Sequence, residues 1–328
     1  MTTFTPGKRE NVGLLIILAG GTGSGKTFTG MRLASGMSGG KPFAVIDTEN
    51  RRALHYADSF KFDHADLRAP FNPAAYTEAI KEADKAGYPV IMVDSGSHVW
   101  AGDGGVLDMQ EAELDRMAGD NYQKREACKM AAWIKPKGEH KRMVSELLQV
   151  RAHVILCLRA EPKIEMVKKD GKMVIQPKHS LTGLDGWIPV CDKNLPFEAT
   201  LSLMFTADRP GIPQPIKLQD QHRAYFPLDH VVDESSGERL AAWAHGGTVE
   251  SAPAIASAKY DTPIGIHVTE YITPDQGTYI GDLLAKHPAM KASLLKRVGS
   301  IAKIPADKYK DTIDWIASHT EATWPKKL

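Results

Sequence analysis

Apolar positions in the first 200 residues fall into short unbroken runs, separated by longer stretches with three-to-four-residue spacing. The runs are 13–19, Phe43–Asp47, Val90–Asp94, 153–158 and 199–205. A run that is apolar throughout, rather than alternating, predicts a strand covered on both faces, hence a parallel sheet with right-handed crossovers. Residues 27–38 and 73–86 carry the helical spacing that such crossovers need. Residues 164–167 and 174–176 flank Asp170-Gly171, a hairpin-turn dipeptide, and predict a β-hairpin projecting from the sheet.

Farther along, 247–262 is rich in Gly, Ala, Ser and Pro without periodicity and reads as a linker. Thr273-Pro274-Asp275 then opens a helix, and Leu283, Leu294, Val298, Ile313 and Trp315 recur at helical spacing. The expected architecture is α/β, a mostly parallel twisted sheet over 1–246, with a small all-helical module over 263–328.

Candidate chemistry begins at Gly20-Gly21-Thr22-Gly23-Ser24-Gly25-Lys26-Thr27, followed by Phe28. This fits GxxxxGK[ST] between an apolar strand and a helix, the context that confirms such a match. Glycines let backbone N–H groups curl around an anion, and the helix N-terminus adds its positive end. Lys26 suits the β/γ-phosphates of ATP, and the Thr27 hydroxyl suits Mg²⁺. Asp94 ends a second apolar strand, where a carboxylate can serve the metal; read alone, it is also a good helix N-cap. Phe43–Asp47 leads into Thr48-Glu49, two carboxylates two residues apart, which would share a face if the strand continued. Glu49 could deprotonate an attacking water, or be a solvated loop acid.

The order of P-loop, helix, acidic strand end, helix and Asp-Ser strand end resembles the core of RecA-type recombinase ATPases. That resemblance implies a RecA-like fold, a water-polarising role for Glu49 and a metal role for Asp94. It places Arg159 where the fourth strand usually carries a polar sensor, commonly Gln. It also places Lys217 and Arg223 where basic residues reach a neighbouring subunit's nucleotide, so Glu49, Arg159, Lys217 and Arg223, with Lys26, are the catalytic candidates, and Thr27 and Asp94 are the metal candidates. The resemblance further implies a ring or filament of identical subunits around single-stranded DNA, held by two segments beyond the third and fourth core strands. Here those are 102–138, with Lys129, Trp133, Lys135 and Lys137, and 160–186, with Lys163, Lys168, Lys169 and Lys172. Lysines that track phosphates, with an aromatic on which bases stack, are what sequence-tolerant single-strand binding needs. Trp133 is equally readable as the core aromatic of an amphipathic helix. Gly102-Asp103-Gly104-Gly105 suggests a mobile loop. The C-terminal module resembles a helical appendage of phage annealing and recombination proteins, which adds a single-strand-binding protein as a candidate partner.

Charge sharpens this picture. The net charge is +1, yet residues 120–178 carry 14 Lys/Arg against 7 Asp/Glu, a separation that suits an anionic partner met by particular segments. The 3 cysteines lack metal-ligand or CxxC spacing, which suits reduced thiols and a cytoplasmic protein. No apolar stretch reaches membrane-spanning length. The leading expectation is a DNA-stimulated ATP hydrolase. Its rivals are a P-loop kinase of a small acceptor, a helicase-loader-like ATPase, and a non-hydrolysing, nucleotide-switched DNA-binding module.

Overall fold

The structure, a computed structural model, describes residues 12–169, 172–178, 186–246, 272–285, 287–298 and 308–320, with Gly7, Arg9, Ser300, Ile301 and Ile304. The expected linker lies outside the described residues. The chain divides into two compact units, Met1–Ala252 and Pro253–Leu328.

The first unit holds strands β1 (Leu15–Gly20), β2 (Phe43–Asp47), β3 (Phe62–Asp66), β4 (Val90–Asp94), β5 (His153–Pro162), β6 (Ile164–Lys169), β7 (Lys172–Pro177), β8 (Trp187–Pro189), β9 (Leu201–Thr206) and β10 (Arg209–Lys217). Its helices are α1 (Lys26–Met37), α2 (Pro73–Lys85), α3 (His98–Ala101), α4 (Val106–Ala118), α5 (Tyr122–Cys128), α6 (Ile134–Leu147), α7 (Leu195–Glu198), α8 (Asp220–Arg223) and α9 (Glu234–Ala244). The sheet runs β10-β9-β1-β5-β4-β2-β3, with β8 on β5. The pairings from β9 to β3 are parallel, while β10 and β8 are antiparallel.

Alternation along β1 shows why a run of apolar residues is needed. Leu14, Ile16 and Leu18 face α1 and α9, whereas Leu15, Ile17 and Ala19 face α2 and α6. Each fully buried Ile or Leu contributes roughly 1.5–3 kcal/mol, so the strand is held from both sides. Helix α9 crosses α1 at two glycines: a Cβ on Gly36 would collide with the Glu234 backbone, and one on Gly237 with Leu33 O. Arg32 closes the crossing, its Nη2 2.6 Å from Glu234 Oε2.

Two expectations change. β3 is an additional edge strand whose polar sequence has no apolar run to betray it. Segment 102–138, assigned above to a DNA-holding role, is largely helical: after the irregular 102–105, α4, α5 and a 3₁₀ turn lead into α6. The hairpin forms as the turn dipeptide predicts, with Met166 opposite Ile175 and Lys169 opposite Lys172; Asp170 and Gly171 themselves lie outside the described residues.

The second unit contains α10 (Pro274–Leu283), α11 (Pro288–Val298) and α12 (Tyr309–Thr320) around Ile280, Leu284, Leu294 and Ile316. Thr273 starts α10 with a capping box to Gln276, satisfying otherwise unpaired amides of the first turn. Among the described residues, no helix is long and apolar enough to cross a membrane.

Candidate functional site

The carboxyl ends of β1, β2, β4 and β5 converge on one crevice, where open parallel sheets place their ligands. It is a cavity of about 560 Å³ lined by 20–28, Glu49, Arg52, His55, Tyr56, Asp94, Arg159 and Glu161, among others. Its floor is the P-loop. Gly25 precedes α1 at φ 76°, in the left-handed region, and no side chain caps that helix end. No acid occupies the first turn either, so amides and helix dipole are left to an anion. Gly20 must be glycine for a second reason: a Cβ there would strike Ser24 Oγ and lie 2.8 Å from Phe205 O.

Three side chains meet beside this floor. Thr27 Oγ1 donates to Asp94 Oδ2 at 2.6 Å, and Lys26 Nζ stands 3.6 Å from Asp94 Oδ1. Burial opposes the charge on Lys26, but the carboxylates of Asp94 and Glu49 outweigh it, and the pKa is raised. The lysine therefore stays cationic. Asp94 Oδ1 is buried without a hydrogen-bond partner among the described residues, an unusual state for a carboxylate oxygen in the interior. A divalent cation held by Thr27 and Asp94 would satisfy it, and an oxygen-only donor set suits Mg²⁺.

Glu49 lies past the end of β2, so the two carboxylates do not share a face as expected. Asp47 is buried and turned back into the loop, while Glu49 lies in the crevice, 2.8 Å from Arg52 Nη1. Thr48 ties this strand end to its neighbour, since its Oγ1 donates to Ser95 O at 3.1 Å and accepts from Ser95 N at 2.9 Å. His98 Nδ1 stands 2.8 Å from the same oxygen. Burial, followed by the charge of Arg159, lowers the His98 pKa.

Arg159 sits in register with Gly20 and lines the crevice. Lys217 and Arg223 do not line it. Lys217 Nζ donates to Phe197 O and Ala199 O at 2.7 and 2.6 Å, and Arg223 pairs with Asp220. The sequence reading named Phe28 but missed the aromatics beside it, Tyr56 and Phe60. Phe28, 45% exposed, packs 5.9 Å from Tyr56 and 5.5 Å from Phe60. The only sequence signal of this flank is an aromatic directly after the P-loop threonine.

The predicted DNA-contacting residues separate into two groups. Lys129 pairs with Glu126 and Lys135 with Glu113, while Trp133 stacks on Trp100 at 6.0 Å with Lys137 over its ring. Lys163, just before β6, and Lys168, on it, are exposed and carry no ion pair among the described residues. The Lys169 and Lys172 backbones pair at the tip of the ribbon.

The profile of the family described as AAA domain matches residues 13–184, a span running from β1 through the hairpin. The chain belongs to the AAA domain family. It carries a P-loop ATPase domain of that type, with the P-loop as the floor of the crevice. Among solved structures, a KaiC-like protein from the hyperthermophilic archaeon Pyrococcus horikoshii OT3 is similar at 16% identity and TM-score 0.30, over 60% of this chain and 72% of that one. A search of curated proteins found no match.

Proposed function

We propose that this AAA domain protein hydrolyses ATP and couples the reaction to single-stranded DNA, in a homo-oligomer that serves annealing or recombination. The observation that carries hydrolysis is the meeting of Lys26, Thr27, Asp94 and Glu49 in one crevice. Mg²⁺ held by Thr27 and Asp94 would neutralise charge on the β- and γ-phosphates. P-loop amides and Lys26 hold the same oxygens in place. Glu49 accepts a proton from water as its oxygen bonds to the γ-phosphorus, and the bond to the β-γ bridging oxygen breaks, leaving ADP and phosphate. Arg159 lies on the rim to meet the γ-phosphate, and Phe28 and Tyr56 offer a surface on which a base can stack.

Two features support the DNA reading. The exposed Lys168 of β6 shares a row with Met166, opposite Ile175, and both basic insertions follow adjacent strands. In an assembly, Lys217 or Arg223 would supply the second subunit's cation, and trans cations are worth roughly 10³–10⁵ in rate. Phosphate release, measured with and without a single-stranded oligonucleotide, tests this. Turnover should rise with DNA and vanish in Lys26→Ala, and DNA binding should weaken steeply with salt. If DNA alters neither turnover nor electrophoretic mobility, the DNA half of the proposal falls.

A further inference from the structure

The loop joining β2 to the crevice is wound around a single buried carboxylate. Asp47 is 1% exposed. Its Oδ1 accepts from Glu49 N at 2.7 Å, its Oδ2 accepts from Ala53 N at 2.8 Å, and His64 Nε2 lies 3.3 Å from Oδ2. The two backbone bonds bracket Asn50 and Arg51, which both have positive φ, 57° and 66°. Consecutive left-handed residues other than glycine are strained and persist only where the surroundings hold them. Here the carboxylate grips the chain on both sides of the strained pair. Arg52, next along, pairs with the Glu49 carboxylate from the start of the 3₁₀ turn Arg52–Tyr56.

The geometry points to Asp47 as the positioning residue that sets Glu49 for proton transfer. This inference rests on the hydrolysis reading above. Asp47 lies outside the crevice lining and acts through the Glu49 amide. Two amide hydrogens demand two acceptor oxygens, so an uncharged replacement frees at least one arm. A shift of about 1 Å in a reacting group costs on the order of 10²-fold in rate.

Single-turnover hydrolysis at saturating ATP, in the full chain, tests the inference. Asp47→Ala should slow the chemical step at least tenfold, and the near-isosteric Asp47→Asn at least threefold. If Asp47→Ala does not fold, Asp47→Asn carries the test. Because Asp47 acts through Glu49, adding either change to Glu49→Gln should slow that variant no further. A merely structural role would instead multiply the two losses. Parental rates in the Asp47 variants, or multiplying losses in the double variant, overturn the inference while leaving hydrolysis intact. Parental turnover in Glu49→Gln removes the general base itself, and both readings fall together.

Discussion

The two basic insertions, the helical one after β4 and the ribbon after β5, look alike in composition and differ in what their charges do. In the helices, acids are interleaved with the lysines. Glu113, almost buried, takes Arg116 and Lys135, which lower its pKa, and Arg125 pairs with Glu111 and Asp115. Trp133 is spent on Trp100. The ribbon has the opposite character. One face sets Ile164, Met166, Met173 and Ile175 into solvent, each 64–70% exposed, with Lys168 in the same row. A two-stranded ribbon buries too little to be stable on its own account, and apolar surface of this kind marks a contact site. Charge counting treats the two segments alike; among the described residues, Lys129 and Lys135 are paired while Lys163 and Lys168 are exposed without an ion pair.

The largest expected effect therefore lies in the ribbon. Reversing two charges, Lys163→Glu with Lys168→Glu, should lower single-stranded DNA affinity by tenfold or more. The salt dependence of log K should flatten by about 1.4 if each lysine meets one phosphate. Fluorescence anisotropy over a salt series reads both, and unchanged slopes would erase the contrast. Next comes Trp133→Ala, which should cost about 2 kcal/mol in denaturant unfolding, less than a fully buried aromatic because the ring is half-exposed. DNA affinity should change little; a large loss would return the stacking role to Trp133.

Acid separates the segments again. His140 packs edge-on against Trp100, 5.6 Å between ring centroids. Burial lowers its pKa; Asp192 opposes this and Lys137 adds to it. The unfolded chain thus takes the proton first, near pH 6.5, and stability falls as pH drops below that value. Hydrogen exchange at pH 5.5 against 7.5 should show α6 loosening relative to β6 and β7, which contain no histidine. Replacing Lys135 with Ala should have the smallest effect on the unfolding midpoint, because the lysine is itself exposed and Arg116 still pairs with Glu113.

How far such contrasts were legible depends on the range of the interactions. Phe43–Asp47 and Val90–Asp94 were readable to the residue because a strand buried on both faces is apolar throughout, up to the Asp that ends each one at the crevice side. β3, with Phe-Asp-His-Ala-Asp at the sheet edge, needs no such run and left no trace. The prolines at 210, 213 and 215 in β10 similarly hid an edge strand, the place where a missing N–H is tolerated. Helices α4 and α5 were obscured by the glycines before them and by charges, such as Arg125 and Lys135, that pair across the segment.

Sequence by itself determined the P-loop pole: the glycine pattern, Lys26, Thr27 and the acidic strand ends are contiguous signals whose chemistry is local. Tertiary structure decided which of these groups face the crevice and which support it. Asp47 and Glu49 stand two residues apart and look equivalent in a string of letters. Only the turn-back of the loop onto Glu49 N and Ala53 N buries the first and leaves the second in the crevice. The same held for the lysines, since whether a cation is free depends on acids brought near it by packing, and that is a property of the folded chain alone.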